Sequence, residues 1–243
     1  MFRDYLYEFR SDHSVFLKKI LFLVFISISV MSCLTPKKLD KWVDQHYQEL
    51  EQPQKNNNKV ITNNYLVVKS NVPSSGDRYS NSQKVSSYFL PLLFYYKFDF
   101  RLSSTINPKI SVDNFTRTVL SYSNKKGLKQ KLNGRTVELS LDSIPYVVDS
   151  DDKGYFIWVI LFGFGQEAIS VQPQTRNMVV SYKIADNGAL IKSGIITVPD
   201  VSKPVYLKEF HSRKKMTWGS LEKRDENIAA GSRAVIDQLI TKL

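Results

Sequence analysis

The sequence predicts an α+β fold, a mainly antiparallel sheet with two helices packed on it; a β-sandwich with an appended C-terminal helix is the alternative. Three observations lead there. Several stretches alternate apolar and polar residues with a period of two, as half-buried strands do. Residues 111–127 and 221–243 instead place apolar side chains at helical spacing. Asp186-Asn187-Gly188 lies between two strand-like stretches, and Asn and Gly accept the positive φ of a tight hairpin turn. The chain has 243 residues, of which 42% are hydrophobic, enough for a real core. With ten Gly, nine Pro and no internal repeat it is neither fibrous nor a solenoid.

The elements follow in order. Tyr65 to Lys69 (YLVVK) reads as a first strand, and the Ser/Asn/Gly-rich stretch Val72 to Val85 as loop. From Phe94 to Leu102, Phe94, Tyr96, Phe98, Phe100 and Leu102 point one way. Tyr95, Lys97, Asp99 and Arg101 point the other way, so this is a half-buried strand. A helix is expected next, with Ser111 as N-cap, Asp113 in its first turn, and Phe115, Val119 and Tyr122 on one face. Lys125 and Lys126 suit its last turn and Gly127 closes it. Val137, Leu139 and Leu141 alternate in the following strand. Asp149, Asp151 and Asp152 read as a solvated turn, with weak calcium binding the sharper account. Tyr155 to Phe164 (YFIWVILFGF) is almost wholly apolar, which predicts a central strand covered on both faces. Gly163-Phe164-Gly165 within it suggests a bulge or a close backbone approach. Met178, Val180, Tyr182 and Ile184 alternate again, and Ala189 to Val198 returns as the hairpin partner. A last helix, roughly Leu221 to Leu243, buries Ile228, Val235, Leu239 and Leu243. The order is β-β-α-β-β-β-β-α.

The first 33 residues speak about location. Lys18 and Lys19 precede Ile20 to Met31, a run interrupted only by Ser27 and Ser29. At ~1.5 Å per helical residue the run is about 18 Å long, too short for the ~30 Å hydrocarbon core. It has the three-part form of a secretory leader. Val30-Met31-Ser32-Cys33 resembles the bacterial lipobox, with Met31 at a place where that pattern tolerates rather than favours it. The resemblance implies a diacylglycerol thioether on Cys33, cleavage just before it, and a membrane-tethered mature chain. The chain's single cysteine stands at that position. Several acyl chains anchor firmly where one holds weakly. Met1 to Phe16 contains acidic as well as basic residues, unusual for a leader, and suggests a translation start further on.

The organisation expected is a lipoprotein leader over residues 1–32, a lipidated anchor and tether over 33–59, and one globular α+β domain over 60–243. Leu39, Trp42, Val43, His46 and Leu50 have helical spacing in the anchor segment, whose helix either packs on the domain or lies on anionic lipid beside Lys37, Lys38 and Lys41. Gln52 to Lys59 is polar and Asn-rich, like a flexible tether. The net charge is +11; residues 1–32 carry four basic and three acidic side chains, so removing them leaves +10. For an exported protein the anionic neighbours are phospholipid, lipopolysaccharide or acidic glycan and not nucleic acid. Lys125, Lys126, Lys129, Lys131 and Arg135 form a candidate anion-binding patch, or a solvated helix end.

The search for chemistry finds little. There is no Gly-x-Ser-x-Gly, His-Glu-x-x-His or P-loop pattern, one cysteine excludes a multi-cysteine metal site, and no cofactor is implied. Ser123-Asn-Lys-Lys126 and Ser212-Arg-Lys-Lys215 match Ser-x-x-Lys without the motifs that accompany it in penicillin-recognising enzymes. Trp218, after Arg213-Lys214-Lys215, either reads a glycan or partner or staples the loop before the last helix.

The element order, lipobox, tether and closing helix resemble the periplasmic auxiliary lipoproteins of ABC transport. Asn133 to Leu139 and Val235 to Leu243 resemble uncharacterised lipoproteins of Bacteroidota. In that group Asp142-Ser143-Ile144 fits an O-glycosylation pattern, with Ser143 as acceptor. The basic Leu34-Thr-Pro-Lys-Lys38 is opposite in sign to their surface-export signal, which favours the periplasmic side, and the location expected is the outer membrane facing the periplasm. The expected function is a non-catalytic accessory or binding module of an envelope transport or assembly system. Its partners would be the membrane through Cys33, an envelope protein, and an anionic lipid or glycan. The alternatives are a lipid-anchored hydrolase of glycans or peptidoglycan, and a purely structural envelope protein.

Overall fold

The computed structural model describes residues 34–51, 63–73, 80–90, 95–159, 162–208 and 211–243. The leader, Cys33 and the segment Gln52 to Lys59 lie outside the described residues. Residues Pro36–Leu243 form one compact unit. Its elements are α1 (Pro36–Glu51), β1 (Leu66–Ser70), β2 (Ser80–Leu90), β3 (Tyr95–Thr105), α2 (Pro108–Lys125), α3 (Leu128–Leu132) and β4 (Thr136–Ser143). There follow β5 (Val147–Val159), β6 (Phe162–Pro173), β7 (Met178–Asp186), β8 (Ala189–Val198), β9 (Val205–Tyr206) and α4 (Arg213–Thr241).

The class is α+β and the strands are mostly antiparallel, but they form two sheets where one was expected. The first runs β1-β4-β7-β8, with β1 parallel to β4 and the other pairs antiparallel. The second runs β2-β3-β5-β6-β9 and is antiparallel throughout. Helix α4, 29 residues and about 43 Å long, serves both. Its Met216 and Leu221 join Val148, Ile169 and Val171 of the second sheet. Its Ile228, Val235, Ile236 and Leu239 join Val137, Leu139, Val180 and Ile184 of the first, together with Phe115 and Val119 of α2. Alternation made the first sheet readable, because one face rests on helices and the other meets water.

Helix α1 belongs to this body. Leu39, Val43 and Tyr47 are buried, Val43 and Tyr47 in the core beneath the second sheet. The folded unit therefore begins at Pro36 and not at Val60, because an apolar helix face finds a protein surface within reach. Helix α2 starts earlier than expected: Asn107 caps it, accepting from the Lys109 N–H at 3.0 Å, and Pro108 follows. Ser111 is thus a buried residue inside the helix. The short α3 was not foreseen.

A buried arginine ties three elements together. Arg224 of α4 donates to the Ser111 Oγ of α2, to the Pro145 carbonyl at 2.7 Å, to the Tyr47 hydroxyl of α1 at 3.1 Å and to Asp225 Oδ1 at 2.6 Å. Burial pushes the Tyr47 phenol and the Asp225 carboxyl above their ordinary pKa values.

Three further expectations are corrected. Residues from Ser80 onward form a strand, the edge strand β2, since β3 supplies its hydrogen bonds despite the weak strand propensity of SNSQKVSS. Asp149, Asp151 and Asp152 lie inside β5 and not in a turn; Ser103 donates to Asp149 at 2.7 Å and Arg101 grips Asp151 at 2.6 and 3.1 Å. Most consequential, Tyr155 to Phe164 is not a covered central strand. β5 ends at Val159, β6 starts at Phe162, and the two pair as antiparallel neighbours. The side chains of Tyr155, Phe156, Trp158 and Phe164 are exposed.

Candidate functional site

The site is the far end of the second sheet, where β2, β3, β5 and β6 run on past the helices. The pairing sets its rows. Nearest the body, Phe100 stands beside Asp152 and Ile169; further out come Phe98, Gly154 and Glu167; beyond them Phe89, Tyr96, Phe156 and Gly165. These rows share the face that carries Leu102, Val148, Ile169 and Val171 into the core. On the opposite face the rows are Asp99, Lys153 and Ala168, then Tyr88, Lys97, Tyr155 and Gln166, then Leu90, Tyr95, Ile157 and Phe164.

The helix-side face continues the core face after its cover has ended, aromatic at Phe89, Tyr96, Phe98, Phe100 and Phe156 with the acidic pair Asp152 and Glu167 in its two rows nearest the body. Helix α4 begins at Arg213, which reaches Asp152 at 3.2 Å and Glu167 at 2.8 Å. Outward of this cluster no described helix lies over the sheet. On this face Phe89 is 54% exposed and Trp158 46%, and on the opposite face Phe164 is 64% exposed. Tyr96 stacks on Phe98 at 5.8 Å between ring centroids, Phe98 lies 5.9 Å from Phe100, and Phe156 lies 6.1 Å from Trp158. Glycines make room for these rings. A Cβ at Gly163 would stand 2.9 Å from both Phe156 Cζ and Trp158 Cε3, and one at Gly154 would stand 2.6 Å from Phe98 Cζ. The expected close approach at Gly163 is therefore one of aromatic rings across a neighbouring strand.

The other face changes character along its length. Toward the body it is charged, with Arg101 on Asp151 and Lys153 3.4 Å from Asp99. Toward the end it becomes aromatic, with Tyr95 6.4 Å from Tyr88 and 6.3 Å from Tyr155. The outermost rows are thus apolar on both faces, while the rows behind them mix Phe98, Phe100 and Ile169 with Asp152 and Glu167 on one face and are charged on the other. From Asp152 to Val159 this stretch is about 23 Å long at ~3.3 Å per residue.

The Arg213 cluster marks the boundary electrostatically. Burial, reinforced by the nearby Glu167 carboxylate, pushes the Asp152 carboxyl up to about 6, against the opposing pull of Arg213.

The residues proposed from sequence lie elsewhere. Lys125, Lys126, Lys129 and Lys131 are exposed at the end of α2 and on α3, and Arg135, half-buried, precedes β4. Lys126 is committed to Asp237 at 3.0 Å and lies over the Tyr122 ring. Ser143, half-buried, ends β4, while its neighbour Asp142 accepts from Ser181 and Asn71. Cys33 is outside the described residues. Trp218 is a staple: its Nε1 donates to the Trp42 carbonyl at 2.9 Å, with Lys214 over its ring at 4.3 Å. Ser212 caps α4 and Ser123 is buried against Leu120 and Asn63, structural roles for both Ser-x-x-Lys matches.

A groove of 240 Å³ runs between α4 and the β7–β8 end, lined by Met178, Val198, Val201 and Ile228 with Arg176 and Asp200 at its rim. Among the described residues no three His, Cys, Asp or Glu side chains gather as a metal site, and no helix is long and apolar enough to cross a membrane, which says nothing of strands.

The apolar run at 155–164 was the sequence signal for this site, and it was assigned to the interior. Comparison with protein-family models, with curated proteins and with solved structures finds no match.

Proposed function

We propose that this protein is a lipid-anchored, non-catalytic module of the bacterial envelope, serving a transport or assembly system, and that the aromatic end of its second sheet works in the bilayer. The observation that carries the reading is the two-sided apolar end. The exposed rings there suit contact with acyl chains and head groups better than contact with water. Tyr88, Tyr95, Tyr96, Tyr155 and Trp158 are of the residue types that favour the membrane–water interface. The lipobox-like Val30 to Cys33 supports the same location, and the net charge of +10 that remains without residues 1–32 suits an anionic lipid surface.

Two measurements on the full chain test this. Clickable palmitate should label the protein and fail to label Cys33→Ser; an unlabelled wild-type chain removes the anchor. A Phe156→Cys chain in isolated membranes should resist a membrane-impermeant maleimide and react once detergent is added. Full reaction before detergent removes the bilayer role of the sheet end.

A further inference from the structure

The exposed end of the second sheet has two open edges. The extension is ordered β2-β3-β5-β6, and β2 has no strand beyond it among the described residues. On the other side β9 pairs with β6 at Ser170 and Val171 and the Leu207 N–H donates to the Ile169 carbonyl at 2.9 Å, so the outer edge of β6 from Phe162 to Ala168 has no described partner strand. Soluble proteins guard such edges with lysine, proline or bulges. Here the guard stands only near the body: Lys84 and the register shift between Lys84 and Ser86 on β2, and Pro173 at the end of β6. Outward of these, residues 86–90 and 162–169 contain neither Lys nor Pro. Small side chains line both edges, with Ser86 and Ser87 on β2 and Gly163, Gly165 and Ala168 on β6.

An open edge is incompatible with hydrocarbon, where each unpaired backbone N–H or C=O costs several kcal/mol. Resting on the bilayer role proposed above, we infer that a second copy of this chain fills each edge, β6 of one copy pairing with β2 of the next, so that copies close into a ring whose strands form one barrel. Three features fit. The three antiparallel pairings make β2 and β6 run in opposite directions, so copies turned about an axis along the strands meet antiparallel. Each copy contributes four strands, giving the even count of antiparallel barrels. The faces differ as those of a barrel wall do: Tyr96, Phe98, Phe100 and Phe156 would face lipid, with Asp152 and Glu167 held by Arg213 at the rim of that band, and Lys97, Asp99, Arg101 and Lys153 would face a wet interior closed at its far end by Tyr88, Tyr95, Ile157 and Phe164. The contact joins two different edges, and such head-to-tail contacts close into rings when the rotation permits.

Ser86 and Ala168 lie in one row, on one face, at opposite edges of a copy. Three strand spacings separate them, about 14 Å at ~4.8 Å each, too far for a disulfide within one chain. Full-length Ser86→Cys and Ala168→Cys chains are expressed singly and together, and their membranes are oxidised with copper phenanthroline. Gln166→Cys replaces Ala168→Cys in a parallel set to allow for a shift of register. The inference expects a linked dimer from the mixture, at least about tenfold above either chain alone, and a ladder of higher multimers from Ser86→Cys/Ala168→Cys in one chain. No mixed dimer with either β6 position overturns the ring, as does dimer formed by Ser86→Cys alone, which would show a symmetric pairing of β2 with β2. The maleimide test on Phe156→Cys, on the face turned to lipid, separates the failures: protection with no mixed dimer removes only the ring, and loss of protection removes the bilayer role beneath it.

Discussion

Replacing Phe156, Trp158 and Phe164 together by Ser tests the sheet end without touching the core. These side chains are 41%, 46% and 64% exposed. At ~200 Å² per aromatic side chain they present about 300 Å² to solvent. Full transfer of that area into hydrocarbon is worth about 7 kcal/mol at ~25 cal/mol per Å². An end that sinks halfway gains about 3.5 kcal/mol, roughly a 300-fold change in partitioning at ~1.4 kcal/mol per tenfold. The assay is sedimentation with phosphatidylethanolamine–phosphatidylglycerol vesicles of a chain that starts at Pro36, where the compact unit begins. Neither leader nor anchor then contributes. The parent chain should pellet with vesicles and the triple variant should stay in the supernatant, with both melting at similar temperatures. A parent that ignores vesicles, or a variant within about threefold of it, refutes the reasoning that exposed aromatic area drives this contact.

Other consequences follow from the same structure. Arg224→Ala strands the Tyr47 hydroxyl, Asp225 and the Pro145 carbonyl, and should lower stability by about 3–5 kcal/mol in urea unfolding; Arg224→Met should also be destabilising if hydrogen bonding and not volume is what matters. Asp152, with its carboxyl raised to about 6, binds a proton in the folded state that the unfolded chain has already released. Its effect is therefore to make stability fall as pH rises from about 4 to about 6, and to stay constant above that. Melting curves of Asp152→Asn and the parent should diverge through that window, in favour of the variant as pH rises; a pH-independent difference would count against the shift. Gly188, at φ +84° in the β7–β8 turn beside Asn187 at φ +49°, should cost about 1 kcal/mol on replacement by Ala, read as a lower Tm.

The first sheet and its helices were legible because local pattern and tertiary environment agree there. Val137, Leu139 and Leu141 alternate in sequence and are buried in the fold, and Met178 to Ile184 behave likewise. The Asp186-Asn187-Gly188 turn needs nothing beyond its own dihedral preferences. The second sheet was legible only in part. Period two in β3 marked one face as apolar, but periodicity cannot say what lies over that face. β2 was missed because its strand character comes from β3 and not from its own Ser- and Asn-rich residues. Arg224 was invisible as a junction, since its partners Tyr47, Ser111 and Pro145 are brought to it from distant parts of the chain.

The run YFIWVILFGF shows where the two kinds of information divide. Its amino acids alone determine that these residues avoid water, and that they form extended backbone rich in β-branched and aromatic side chains. Whether the protein itself shelters them is settled by where α4 begins and by the split of the run into two paired strands, both of which depend on contacts far apart in sequence. Apolarity is a property of a side chain. Burial is a property of what surrounds it, and here the helices end about 23 Å before the strands do.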